Sequence, residues 1–352
     1  MVAFCQQRFW IRIFAATTTV VAGSLFAQEK PKGIWTDPAD ETIPAVFHVQ
    51  GEYQGELENG QKVGAQVIAL NEEGAVQAVI YPGGLPGAGW DEKNKILLDG
   101  KLVEGVVELQ PADGERKYMD GRPERFSATR AFPPEGHQPW TGVIRDGVLS
   151  GMTSDDKSYA MKKTERQSPT LGAKPPQDAI VLFDGTSLEH WKGGRLEQDT
   201  CILHTDAKDV KSTGKFKAYS VHLEFRTPFR PKSRGQGRGN SGFYQTNGQE
   251  IQVLDSFGLE GLKNECGGLY GRADCRINMC LPPLSWQTYD VELVPNADDP
   301  KAATITVRHN GVLIHDKVPT KLGGGGFKLQ GHGNLLQYRN IWLVEHRLDE
   351  VD

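Results

Sequence analysis

The chain is short of the residues that most often announce a chemistry. It has 5 cysteines in 352 residues, with no C-x-x-C pair and no closely spaced histidine pair, so a zinc site has little to build on. The basic residues do not outnumber the acidic ones: 40 Lys and Arg stand against 45 Asp and Glu, for a formal charge of −5. A nucleic-acid partner is therefore not indicated. Residues 43–164 sustain no helical period, and their Gly-rich stretch GGLPGAGW, Gly83 to Trp90, lacks the Lys-Ser/Thr that follows a phosphate-binding loop. In an all-β context it reads as a tight turn.

An apolar run occurs at the start. Arg8 and Arg12 precede a stretch from Ile13 to Phe26 that ends in small residues at Ala27, the layout of a secretory signal peptide. The run is too short and Thr-rich for a membrane span, so stable membrane insertion is not expected and the mature chain is expected to be exported. Loss of residues 1–27 removes two arginines and no acid, taking the formal charge from −5 to −7. Cys5 leaves with them. Cys201, Cys266, Cys275 and Cys280 then meet an oxidising compartment in which three pairings are possible. Cys266 with Cys280 is the preferred bridge.

Two β-rich regions follow. Residues 43–164 contain VFHVQGEY, VGAQVIAL, AVQAVIY, KILLDGKLV and GVVELQ, each an extended pattern ended by Gly, Asn-Gly or Pro. Residues 166–177, rich in Ser, Pro and polar groups, read as a linker. From 178 to 345 the strands are longer, and Asn310-Gly311 between two alternating runs signals a hairpin. The expected class is all-β, with the second region a two-sheet sandwich or jelly roll.

Within that second region, GNSGFYQTNGQEIQVLDSFG sets polar residues into an apolar strand pattern. Successive strand residues face opposite ways, so Ile251 and Val253 point to a core while Glu250 and Gln252 share the other face. Glu250 is the first candidate for a base or a metal-binding carboxylate, because partial desolvation raises a carboxyl pKa toward a useful value. Gln252 would orient a hydroxyl or that carboxylate. Asp255 closes the strand, where an Asp is equally a turn former. His332, between two glycines, is a candidate proton shuttle. Asn240, Glu265, Tyr270 and Arg339 are candidate substrate-binding groups. The basic residues Arg230, Lys232, Arg234 and Arg238 read as solvated, His309 as an exposed turn residue, and Trp286 and Trp342 as core. Glu250, Asp255 and His332 together could hold a divalent ion, so a metal cofactor is a possibility that the sequence leaves open.

LFDGTSLEHW, GNSGFYQ, EIQVLDSFG, NECGGLYG, NMCLPPLSWQTYDVEL, HNGVLIHD and GHGNLLQYRNIWL, in that order, resemble the 3-keto-disaccharide hydrolase or 3-keto-glucoside lyase/hydratase domain family, DUF1080, over residues 178–345. One departure is Gly331, where the family often has an Asp before the His. The resemblance implies a concanavalin A-like, laminin-G-like jelly roll, a small carbohydrate as partner, and bacterial sugar metabolism in the periplasm or outside the cell. It also implies cleavage of 3-keto-glycosides by elimination across C1 and C2 followed by hydration. The rival reading is a non-catalytic carbohydrate-binding module using the same sheet face.

Overall fold

A computed structural model describes residues 32–346; the signal-peptide assignment to residues 1–27 lies outside them. Eight antiparallel strands of the first region close into a barrel in the order Gly51–Leu57, Ser158–Thr164, Val148–Met152, Thr141–Arg145, Val106–Pro111, Ile96–Val103, Ala75–Pro82 and Lys62–Ala69, the last pairing again with the first. The expected strand VFHVQGEY starts late. Val46–Val49 instead forms one helical turn, which opens with Phe47 N–H donating to the Pro44 carbonyl, and the strand begins at Gly51.

The strands Lys62–Ala69 and Ala75–Pro82 are buried on both faces. Val63, Ala65, Val67, Val76, Ala78 and Ile80 fill the barrel. Ile68, Val79 and Tyr81 point outward, yet they join one hydrophobic cluster with Leu254, Phe257 and Leu259 of the second region. A Cβ at Gly258 would lie 2.5 Å from Ile68 Cδ1, so that glycine permits the close approach. Polar ties reinforce the contact: Arg234 donates to the Leu70 carbonyl at 2.7 Å and Arg238 to the Ala69 carbonyl at 3.2 Å. These arginines are therefore not solvated as expected, and Arg238 is only 5% exposed.

The second region is a sandwich of two antiparallel sheets, as expected. The larger contains the long strands Tyr219–Arg226, Gln287–Pro295, Ala302–His309, Val312–Lys321 and Gln337–Glu345. The smaller runs Trp191–Lys192, Val210–Ser212, Lys328–Leu329, Ser241–Tyr244, Glu250–Val253. Phe243, Ile251, Val253 and Leu329 from the smaller sheet and Leu223, Phe225, Tyr289 and Val291 from the larger share the core. Asn310 and Gly311 connect their strands with φ of +50° and +78°, the left-handed pair that a two-residue hairpin requires.

Residues 166–177 lie across the outer face of the larger sheet. Ser168 Oγ is 2.6 Å from Thr288 Oγ1, and Gly172 N–H donates to Glu224 at 2.6 Å. Trp286 and Trp342 belong to this outer face and are half-buried, which corrects their reading as core. Each is covered by a cation or ring: Arg339 lies 4.1 Å above Trp286, and His222 stacks on Trp342 at 5.1 Å. His309 departs in the other direction. It is fully buried, with its ring 2.9 Å from Gln287 Oε1, and burial drives its pKa down to about 3.

Candidate functional site

The outer face of the smaller sheet carries a row of directly opposed residues: Lys192, Lys211, Lys328, Tyr244 and Glu250. All point away from the core because their strand neighbours Trp191, Val210, Leu329, Phe243 and Ile251 point into it. The hairpin turn at Asn247-Gly248 sets Tyr244 opposite Glu250, and the three-strand pairing brings Lys328 beside Tyr244. Lys328 Nζ sits 3.5 Å from the Tyr244 ring centre and 3.5 Å from Asp209 Oδ2. Gln330 Nε2 reaches the Tyr244 hydroxyl at 3.5 Å.

Glu250 is 8% exposed. Burial raises its pKa above the ordinary carboxylate value, against the hydrogen bond from Tyr244 and the charges of Lys328 and His332, which favour ionisation. Tyr244 is shifted upward as well, first by burial and then by the adjacent carboxylate. Gly242 supplies the room that Glu250 occupies: a Cβ there would stand 2.0 Å from Glu250 Oε1.

Asn240, Gln236 and Gln252 form an amide cluster at one end of the site. Gln252 lies 2.9 Å from Gln236 and 3.2 Å from Asn240. Its other amide atom faces two acceptors, Glu250 Oε1 at 3.1 Å and the Ser241 carbonyl at 3.0 Å, which identifies that atom as the nitrogen. Gln252 thus orients the carboxylate by donating to it. Tyr270 N–H donates to the Glu250 carbonyl at 3.0 Å, and its side chain, 44% exposed, stands at the rim. The loop after Cys266 therefore extends the sheet edge beside Glu250.

Glu250, Gln252, Asn240, Tyr270 and His332 come together. Three other candidates do not. Asp255 is buried, with its carboxylate 2.6 Å from Arg238 Nε. Glu265 is also buried. It accepts the N–H groups of Gly261 and Leu262 at 2.6 and 3.0 Å and the hydroxyl of Tyr118 from the barrel region. Arg339 lies on the other sheet, 2.6 Å from Glu224. The proposed trio of Glu250, Asp255 and His332 is not assembled, and among the described residues no group of three His, Cys, Asp or Glu is placed to hold a metal ion. Cys266 and Cys280 are buried free thiols: Cys266 Sγ lies 3.2 Å from the Tyr289 hydroxyl, and Cys280 Sγ lies 3.6 Å from the Leu254 carbonyl oxygen.

Tyr244 and Lys328 were not among the sequence candidates. The Asn-Gly pair between GFYQ and EIQV signals a hairpin, but read as a two-residue turn it would set Gln245 opposite Glu250; the turn is instead three residues, Thr246 to Gly248, closed by Gln245 N–H on the Gln249 carbonyl, and this register brings Tyr244 there. Lys328 lies 78 positions beyond Glu250 and carries no local signal.

Such a surface offers a carboxylate whose pKa is shifted upward, a phenol, an ammonium, an imidazole and amides. These groups can bind hydroxyls and move a proton. Residues 178–344 match the family model described as a 3-keto-alpha-glucoside-1,2-lyase-like domain. Among solved structures, a protein from Parabacteroides distasonis determined at 2.13 Å and provisionally assigned to the glycosyl hydrolases is 27% identical, with a TM-score of 0.44 over 49% of this chain and 85% of that one. A second from the same organism, at 1.70 Å and with the same provisional assignment, is 16% identical, with a TM-score of 0.37 over 48% and 94%. No curated protein matches the chain. The sandwich is thus the part of the chain that the 3-keto-alpha-glucoside-1,2-lyase-like family model matches.

Proposed function

We propose that the domain cleaves 3-keto-glycosides by elimination and hydration, with Glu250 as the base. A ketone at C3 acidifies the C2 proton. Glu250 takes that proton, and the electron pair forms an enolate whose oxygen is stabilised by the Lys328 ammonium. The enolate re-forms the ketone as the C1–O bond breaks, and His332 donates a proton to the departing alcohol. Water then adds to C1 of the enone, giving up a proton to His332, while C2 regains a proton from Glu250, releasing 3-keto-sugar. Net hydrolysis results with no oxocarbenium ion.

The observation that carries this reading is Glu250 itself: a buried carboxyl with an upward-shifted pKa, held by Gln252 and flanked by Tyr244, Lys328 and His332. The test is incubation of the mature chain with 3-keto-trehalose, 3-keto-sucrose and the unoxidised sugars in deuterated water. Release of free sugar and C2 exchange from the keto-sugars alone is expected. The exposed ring of Tyr270 favours a second reading, a binding module in which Tyr270 stacks on a sugar; measurable binding with no turnover would support it.

The leader-like residues 1–27 support export to the periplasm or the medium, checked by N-terminal sequencing of the released chain. Export would allow Cys266 and Cys280 to form a disulfide, checked by thiol titration after unfolding with and without reductant.

A further inference from the structure

A second cleft, of about 400 Å³, lies between the barrel and the sandwich, and none of Glu250, Gln252, Tyr244, Lys328 and His332 lines it. At its base is Lys95, 91% buried, as its 9% exposure shows. Its ammonium rests 5.0 Å from the Trp90 ring centre and 6.0 Å from that of Tyr81. The ammonium has no ion pair or hydrogen bond among the described residues, and Lys95 lines the cleft. Burial lowers its pKa, opposed by the more distant charges of Glu260 and Glu265.

Every other cation around the cleft is paired. Lys93 meets Glu135 at 2.6 Å, Arg130 meets Glu260 at 2.5 Å, and Arg276 meets Glu92 at 3.6 Å. Asp274, also in the lining, accepts the Lys263 N–H at 2.6 Å. Four cations and four acids thus surround the space, and Lys95 already feels negative charge at range. It lacks acceptors within hydrogen-bond reach. A neutral ligand that brings hydroxyl oxygens answers that need without adding to the negative charge of Glu260 and Glu265 that Lys95 already feels. Aromatic rings, ammonium donors and carboxylate acceptors around a space of this size match the hydroxyls and C–H faces of a sugar.

We propose that this cleft is a second saccharide-binding site, taking a neutral sugar whose hydroxyl oxygens accept from Lys95. The site is separate from the Glu250 chemistry and does not depend on it. To read binding alone, the full chain carrying Glu250→Gln is titrated calorimetrically with trehalose, maltotriose, glucuronate and inorganic phosphate. At least one neutral sugar is expected to bind, with affinity falling about tenfold or more on adding Lys95→Met. Arg276→Trp, at the exposed mouth, should remove the same binding component by filling the cleft. Lys95→Met should melt no lower than its parent, because it replaces a buried, unpaired ammonium by an apolar chain of similar length. Should it fail to fold, Arg276→Trp alone decides. Isotherms unchanged by Arg276→Trp, no binding of either neutral sugar, or tighter binding of glucuronate or phosphate would each overturn the proposal.

Discussion

Replacing Gly242 by alanine tests whether the Glu250 carboxylate must sit where it does. The new methyl would be built 2.0 Å from Glu250 Oε1, and non-bonded heavy atoms do not settle below about 3 Å. The carboxylate would have to retreat by about 1 Å or more, away from the Gln252 amide and the Tyr244 hydroxyl. A misplacement of that size costs on the order of 100-fold in rate, or about 2.7 kcal/mol in the barrier. Gly242 lies in a regular strand, where alanine is favoured over glycine by roughly 0.5–1 kcal/mol, so the melting temperature should hold or rise. The assay is kcat/KM on 3-keto-trehalose beside a thermal melt. Shortening the acid by one methylene in Gly242→Ala/Glu250→Asp should recover part of the loss by drawing the carboxylate back. Full activity in Gly242→Ala, or a loss that only tracks a collapse in melting temperature, would refute the argument.

Glu250→Gln should lower kcat/KM by about 10²–10⁴-fold, the usual share of a positioned proton-transfer group, and His332→Ala by a smaller factor since solvent can replace it. A base must be ionised to act, so kcat/KM should fall with decreasing pH through a pKa above the ordinary glutamate value of about 4.3. Lys328→Met removes a charge that favours the carboxylate and should move this limb of the pH–rate profile further up. Asp255→Ala leaves Arg238 as a buried, unpaired cation; stability should drop by about 3–5 kcal/mol in urea unfolding, with kcat/KM of the folded fraction little changed. Tyr118→Phe removes the barrel's donor to buried Glu265 and should cost about 1–3 kcal/mol in the same measurement, again without a direct effect on turnover.

The sequence by itself determined the all-β class, the sandwich of residues 178–345 and the face that Glu250 and Gln252 share. These follow from local rules: alternation along a strand has a period of two, and Asn-Gly accepts the left-handed backbone of a tight hairpin. The tertiary structure decided what those residues meet. An isolated Asp in a polar turn reads the same whether it faces a ligand or Arg238, and the separation of 17 positions between that pair holds no clue to their ion pair. Glu265 likewise found its partner 147 positions away, and Lys328 reached Tyr244 only because a third strand inserts beside the hairpin. The barrel strands Lys62–Ala69 and Ala75–Pro82 looked like ordinary apolar runs, and only packing against the sandwich explained why both their faces are apolar. Pairing over such distances depends on how sheets stack and which loops they enclose, a property of the whole chain that no local pattern encodes.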